Sequence, residues 1–388
     1  MHFTIVTENF LGRPEGFDEM DEEELIGGAE INVYRTAQLL LDQGHEVTVV
    51  QTDAGHEVEE FKGIEIEQVA VPEQLDRLKD VAFNYRWRQA IPDDSIVHLQ
   101  NPIYAFPFYS DIESFNQPGL TWDYPDGYRK RNLIEKFVTR QLLANGSYSR
   151  ASDNSFLTYV QSQLTEHRNQ VYPIPNAVDT EAFKPKQMPE EKFDFDVRKN
   201  VILYPRTLAR RRGAFHLLEA LAKVKRSTTD KFTALFVGAQ QKRIQREFIN
   251  RAKQLNVFEN INLIGHVPHD EISTFYNLSD IVTIPTYHSE GSSIACIEAM
   301  ACGKPLVVTD VGGLKELVYQ DIVDGGLKVK PDSDAIATGL ERLIENPELR
   351  EEMGENSRER ALDYYHMERW EQQTKEYFRH VISAFKST

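Results

Sequence analysis

The sequence predicts an α/β chain made of two doubly wound domains, each built on a parallel sheet. Three observations lead there. The chain has 388 residues, enough to bury two cores. Short apolar runs alternate with stretches of helical period in both halves. Each half opens on a buried strand followed by a turn suited to a phosphate: residues 1–7 precede Gly27-Gly28, and residues 201–207 precede Arg210-Arg211-Arg212-Gly213. Two such domains are expected to face each other across a cleft, because ligands of open parallel sheets bind outside the carboxyl ends of the strands.

Composition narrows the function. Apolar residues make up 40% and charged residues 27%, as in an ordinary soluble domain. The net charge of −17 argues against nucleic acid as a partner, which calls for a basic footprint. No apolar run reaches the roughly 18–20 residues of a membrane span. The start, Met1-His2-Phe3-Thr4-Ile5, reads as a strand rather than a signal peptide. The two cysteines, Cys296 and Cys302, make neither a disulfide framework nor a zinc site, so a reducing, cytoplasmic setting is expected.

Along the first half, residues 8–26 form an acidic loop at the ligand edge of the sheet. Gly27 and Gly28 then open an amphipathic helix that stops near Gly44; the pair permits close backbone approach to a phosphate, or is simply a tight turn. Val47-Thr48-Val49-Val50 is strand two, and residues 95–99 are another, with His98 read as a half-buried structural histidine. Residues 119–125 read as a strand end. Trp122 and Asp123 stand there; an aromatic face can stack on a ring and a carboxylate can accept from a hydroxyl, or both are structural. Residues 128–150 carry six Lys/Arg (Arg129, Lys130, Arg131, Lys136, Arg140, Arg150) against Glu135, interleaved with Leu133, Ile134 and Phe137. Such a basic amphipathic helix can lie at the periphery of an anionic membrane, or be a packed helix with a solvated face. Residues 151–160 read as a further strand entry. Residues 186–198 read as a linker, so its Asp194-Phe195-Asp196 is a chance resemblance to a metal-binding triplet.

The second half begins with the strand at residues 201–205. Arg206 ends it, and Arg211 and Arg212 lie on the following loop; their guanidinium forks suit an anionic ligand, or make a solvated basic turn. Strands follow at 232–238 and 261–268, then a helix started by Asp270. The apolar run Ile281-Val282-Thr283-Ile284-Pro285 leads into Glu290-Gly291-Ser292-Ser293-Ile294. A helix runs from about Ser293 to Ala301, stopped by Gly303 and Pro305. The N–H groups of its first turn have no helical partners, and Gly291, Ser292 and Ser293 are small enough to let an anion approach. Glu298 lies eight residues after Glu290, and two carboxylates can hold two parts of one polyhydroxylated ligand; the plain alternative is two surface acids. After Arg360 one aromatic-rich helical stretch is expected to run to the end.

Glu290 and Glu298, followed by Ala299-Met300-Ala301-Cys302-Gly303-Lys304-Pro305 and by Thr309-Asp310-Val311-Gly312-Gly313, resemble the Glu-x7-Glu signature of the family 4 retaining glycosyltransferases. The resemblance covers nearly the whole chain, strongly over about residues 200–365. It implies the GT-B fold. Residues 1–190, completed by the last helix at about 366–388, would form the acceptor-side domain, and residues 199–365 the donor-binding domain. It implies transfer of a hexose from a nucleotide-diphosphate sugar, UDP- or GDP-linked, to a hydroxyl on a glycan or lipid. No cofactor or metal is required. Glu298 would bind the ribose and Glu290 the sugar hydroxyls. Arg206, Arg212, the Gly27-Gly28 turn and the backbone from Gly291 to Ile294 would hold the diphosphate, and the segment at Val267 would pack around the base. Many relatives carry a histidine where this chain has Trp122 and Asp123, which leaves the acceptor chemistry open. The rival readings are a sugar-nucleotide epimerase of the same fold and a non-catalytic glycan-binding scaffold.

Overall fold

The structure is a computed structural model that describes residues 1–11, 27–53, 58–71, 79–120, 122, 129–188, 200–228, 231–288, 290–318 and 325–387. The chain divides into two compact units. The first comprises Met1–Pro14, Asp21–Pro175 and Trp370–Thr388; the second comprises Glu15–Met20 and Asn176–Arg369.

In the first unit the elements run β1 (His2–Val6), α1 (Gly28–Asp42), β2 (Glu46–Thr52), β3 (Glu60–Phe61), β4 (Ile64–Val69), α2 (Lys79–Arg86), β5 (Ile96–Leu99), β6 (Ser114–Gln117), α3 (Arg129–Ala144), β7 (Tyr148–Ala151), α4 (Asn154–Gln163) and β8 (Val171–Pro173). The sheet order is β3-β4-β2-β1-β5-β6-β7-β8, parallel throughout except for the β3–β4 pair. The central strands β1, β2 and β5 are short, buried and rich in Val and Ile, as strands covered on both faces should be, whereas β6 and β7 are buried but largely polar. One core of this unit gathers Val6, Val97, Phe115, Val138, Leu142 and Phe156.

In the second unit the order is β9 (Val201–Pro205), α5 (Ala214–Ser227), β10 (Thr233–Val237), α6 (Lys242–Gln254), β11 (Ile261–Gly265), α7 (Ser273–Leu278), β12 (Ile281–Ile284), α8 (Ile294–Ala301), β13 (Leu306–Thr309), α9 (Leu314–Val318), β14 (Gly326–Val329), α10 (Ser333–Ile344) and α11 (Pro347–Tyr364). The last helix, α12 (Met367–Phe385), belongs mostly to the first unit. The six strands lie in the order β11-β10-β9-β12-β13-β14, all parallel. The chain fills one side of β9, then crosses to the other side at β12, so the topological switch point lies between those two strands. That is where a doubly wound sheet binds its ligand. Helix α8 is apolar on nearly every side and is buried, as that composition requires.

The second unit starts before its first strand. Val178 N–H donates to the Tyr365 carbonyl (2.8 Å), and Arg358 donates to the carbonyls of Phe183 (2.9 Å) and Thr180 (3.2 Å). Lys186 N–H donates to Asn277 Oδ1 (2.7 Å), and Asn277 Nδ2 returns a bond to the Lys184 carbonyl (3.1 Å).

Several sequence expectations are corrected. Residues 154–163 are helix α4, not a strand entry, because the Asp153 carboxylate accepts from the Ser155 and Phe156 N–H groups and caps a helix there. The strand expected to end near residues 119–125 is β6, which stops at Gln117. The helix expected to start at Asp270 begins at Ser273. The C-terminal stretch is two helices, broken where His366 bridges Val178. His98 is fully buried rather than half-buried; Ser114 meets its Nδ1 at 2.9 Å, and it packs edge-on to Phe378. Burial, then the nearby Arg150, push its pKa well down. Arg150 is not on the basic helix: it sits in β7, wholly buried, with Asn116, Thr36 and Asn32 as acceptors.

Two left-handed glycines differ in what surrounds them. Gly213, at φ +81°, caps α5 against β12: an added Cβ would stand 1.7 Å from the Pro285 carbonyl oxygen. Gly44, at φ +78°, ends α1 with open space around that position. The left-handed conformation alone costs about 1–2 kcal/mol for a non-glycine residue. Gly44→Ala should lose about that much stability. Gly213→Ala should lose clearly more, read as a larger fall in the urea midpoint.

Candidate functional site

Arg206 follows β9 directly, and Glu290 lies on the loop after β12, so the two strand exits flanking the switch point each supply one charged group. The Arg206 guanidinium forks onto Glu290: Nη1 donates to Oε2 at 2.6 Å and Nη2 to Oε1. Arg212 Nη1 donates to Oε1 at 3.1 Å, and the Thr286 hydroxyl to Oε2 at 2.8 Å. Arg206 also donates to the Thr286 hydroxyl oxygen (2.7 Å). The side chains of Arg206 and Glu290 are only 7% and 12% exposed, while that of Arg212 is 33% exposed. Burial would raise the Glu290 pKa, but the two guanidinium groups outweigh it and hold it at about 2. For Arg206, burial lowers the pKa and Glu290 more than reverses this, leaving it raised. Arg206, then burial, lower that of Arg212.

The surrounding backbone fixes this arrangement. Tyr204, fully buried within β9, donates its hydroxyl to the Thr207 carbonyl at 3.0 Å and lies 3.4 Å from that of Arg212, so it braces the arginine loop from beneath. A Cβ on Gly238 would stand 2.4 Å from the Arg206 carbonyl, so the end of β10 must be glycine for Arg206 to sit where it does. Gly313 N–H donates to the Glu290 carbonyl (2.6 Å), and the Thr309 hydroxyl to that of Thr286 (2.5 Å). Arg211 is exposed, and its carbonyl accepts from Tyr287 N–H at 3.3 Å; Arg212 is the one that reaches Glu290.

The loop to α8 presents small residues. Ser292 is tied to Asn176, whose N–H donates to Ser292 Oγ (2.8 Å) and whose Nδ2 donates to the Ser292 carbonyl (2.6 Å). Ser293 is the N-cap residue and Ile294 the first of α8, so Gly291 to Ile294 lead into the helix N-terminus. Glu290 precedes α8, so only the second half of the Glu290–Glu298 interval is helical, rather than two full turns. Glu298 is 3% exposed; Oε2 accepts the Tyr276 hydroxyl at 2.8 Å, and Oε1 meets His269 Nε2 at 2.6 Å. His269 packs against Phe183, ring centroids 5.4 Å apart. Val267, two residues before His269, packs partly buried on the same core.

In the first unit, Gly27 is the N-cap of α1 and Gly28 its first residue. The Glu30 carboxylate folds back, 2.7 Å from where a Gly27 Cβ would stand, as suits an acid at a helix N-terminus. Trp122 is half-buried and packs edge-on against Tyr159 and Phe156 at 5.3 and 6.3 Å. Asp123, most of the acidic loop and the Asp194-Phe195-Asp196 triplet lie outside the described residues. Sequence reasoning missed Thr286, Tyr204, Tyr276, His269 and Gly238. Of these only Gly238 carried a usable signal, a glycine closing an apolar strand. Among the described residues, no group of three or more His, Cys, Asp and Glu is placed to hold a metal ion.

Comparison with known proteins bears on the family and the fold. Residues 186–360 match the family profile described as glycosyl transferases group 1, and residues 26–182 match that of glycosyltransferase family 4. The chain belongs to this group of glycosyltransferases, and its two parallel sheets form the GT-B fold. An uncharacterised glycosyltransferase of Methanocaldococcus jannaschii is 24% identical over 383 residues, 91% of this chain and 93% of that one. Sucrose-phosphate synthase from Thermosynechococcus elongatus superposes with a TM-score of 0.80 at 18% identity, covering 99% of each chain. The Anabaena protein HepE, solved in complex with UDP-glucose, does so at 0.74 and 18% identity, over 98% of this chain and 100% of that one. Matches to mannosyltransferases of Mycolicibacterium span 53% and 51% of those proteins, about half their length.

Two outcomes follow from the geometry. The Glu290 pKa is depressed in the fold, from an ordinary 4.5 to about 2. Its contribution is therefore present above pH about 4.5 and lost as pH falls toward about 2, roughly 3 kcal/mol over the whole window. The stability difference between wild type and Glu290→Gln, followed by urea titration from pH 5 downward, should shrink on acidification. Tyr276→Phe removes one donor from the buried Glu298 carboxylate and should cost about 1–3 kcal/mol in the same titration at neutral pH.

Proposed function

We propose that this chain is a retaining hexosyltransferase that takes its sugar from a nucleotide-diphosphate donor and delivers it to a hydroxyl of a glycan or lipid. The observation that carries the reading is the cluster of Arg206, Arg212 and Glu290 at the switch point between β9 and β12. A departing diphosphate gains negative charge, and two guanidinium groups in a nearly dry site stabilise it far more than water would. Arg206 spends three of its five N–H donors on Thr286 and Glu290, which leaves two for a phosphate oxygen. Arg212 holds Glu290 by one longer bond and is partly exposed, so it is the group that swings most easily to the diphosphate. The helix N-terminus entered through Gly291, Ser292, Ser293 and Ile294 supplies further N–H donors to that charge.

On this reading Glu290, ionised by its two arginines, accepts hydrogen bonds from sugar hydroxyls. Glu298, already oriented by Tyr276 and His269, accepts from the ribose with the lone pairs those partners leave. Val267 lines the base. The transition state is oxocarbenium-like, as in glycosyl cleavage generally. The leaving phosphate oxygen takes the acceptor proton as the acceptor enters from the same face, which retains the anomeric configuration. The UDP-glucose complex of the Anabaena protein makes UDP-sugars the first donors to try and GDP-sugars the second.

The test is thermal unfolding with UDP-, GDP- and ADP-sugars on wild type, Arg212→Ala and Glu290→Ala, followed by assay of nucleoside-diphosphate release. A donor at about 100 times its dissociation constant should stabilise wild type by about 2.7 kcal/mol. Both variants should lose most of that stabilisation, and Arg212→Ala should turn over roughly 100- to 1,000-fold more slowly. Proton NMR of the product should show the donor's anomeric configuration. Stabilisation that both variants keep in full would remove the cluster from the donor site. Nucleotide-sugar conversion with no acceptor consumed would favour the epimerase.

A further inference from the structure

Helix α3 turns an apolar stripe outward. Leu133, Ile134 and Phe137 are 65%, 36% and 51% exposed, and their spacing places them on one face. Arg140, exposed as well, continues that face by almost one turn. The opposite face has its core contacts: Asn132, Glu135, Val138, Thr139, Leu142 and Leu143 are buried. The fold therefore does not need the stripe. The Phe137 ring meets Tyr109 edge-on at 6.0 Å; Phe108, next in the chain, is 39% exposed and lies 6.2 Å from the Tyr85 ring, itself 54% exposed. Three of the eight exposed large apolar side chains among the described residues thus fall on one helix face rather than scattered singly, and Tyr85 and Phe108 form a second exposed pair.

Charge says what covers it. In a chain of net charge −17, α3 carries Arg129, Lys130, Arg131, Lys136 and Arg140, and its one acid, Glu135, is buried. A short apolar stripe flanked by cations matches the boundary between anionic headgroups and acyl chains. Among the described residues no helix is long and apolar enough to cross a membrane, so α3 would lie on the surface rather than span it. We propose that α3 is an interfacial docking surface for an anionic lipid bilayer, with Leu133, Ile134 and Phe137 inserted at the headgroup level and Lys136 and Arg140 paired with lipid phosphates. This does not depend on the donor reading, since none of these residues belongs to the arginine–glutamate cluster.

The test is flotation of the full chain with vesicles of phosphatidylcholine alone and of phosphatidylcholine mixed with phosphatidylglycerol. Wild type should float with the anionic vesicles only, and less so as salt is raised. Lys136→Gln/Arg140→Gln should weaken binding about fivefold per charge removed. Leu133→Ser/Phe137→Ser should weaken it about tenfold or more, and Leu362→Ser, at an exposed apolar site of α11, should leave it unchanged. All variants should keep the wild-type melting temperature. Failure of wild type to float with either vesicle, equal flotation with neutral vesicles, or flotation unaffected by both double variants would overturn the proposal. So would sedimentation showing a wild-type dimer that Leu133→Ser/Phe137→Ser converts to monomer, because a second copy would then be the occupant.

Discussion

The second unit is arranged around one buried carboxylate. Glu290 sits between two guanidinium groups, and neither sign of charge could be held there alone. Isolated buried charges cost several kcal/mol even after relaxation, and removing one partner of such a pair costs about 3–5 kcal/mol. The pair therefore dictates that the exits of β9 and β12 be neighbours, which the strand order supplies. It also leaves a cluster that is charged, largely buried and preorganised. On the proposed reading, a diphosphate entering it would replace part of an existing interaction rather than order loose side chains.

Close approach of backbone to backbone makes that placement geometrically feasible. Gly213 lets the arginine loop come against Pro285, and Gly238 lets the end of β10 come against Arg206. Tyr204 fixes the loop from inside the sheet through two carbonyls. Each of these residues touches the arginine loop rather than Glu290 itself. The stiffness of the site is thus set by the scaffold around it, as a preorganised electrostatic site requires. Glu298 shows the same economy: Tyr276 and His269 hold its two oxygens, one from within the core and one from a more exposed position.

Much of this was legible in the sequence, for identifiable reasons. The alternation of apolar runs with helix-period stretches survives in β1, β2 and β5 and in the second sheet, because strands covered on both faces favour apolar residues; β6 and β7 are buried with polar residues and escape that signal. Gly303 ends α8 with φ +68°, as its position before Pro305 suggests. Other features depended on contacts far apart in the chain. Residues 158–160 look like strand by composition, but the Asp153 cap and the packing of Phe156 with Trp122 make them helix. The break between α11 and α12 has no glycine or proline to announce it; it follows from the Val178 pairing across nearly two hundred residues. Arg150 reads as part of a basic run, yet its neighbours in space are amide and hydroxyl oxygens of α1 and β6. The grip of Arg206 on Glu290 is likewise a property of strand order, and sequence alone showed only that both residue types were available.

The stitching of residues 176–186 into the second unit has a consequence for how that unit can be separated. Val178 and Phe183 belong to the same apolar core as α8 and β12, and Arg358 and Asn277 use carbonyls of that segment as acceptors. A fragment beginning at β9 would keep every strand of the sheet and still lack part of its hydrophobic seal. Asn277 and Arg358 would lose acceptors, and Ser292 would lose both bonds to Asn176. The loop leading into α8 is thus held in part by residues that precede the sheet in the chain. An independent second half would have to begin at Asn176 for its α8 loop to keep its shape.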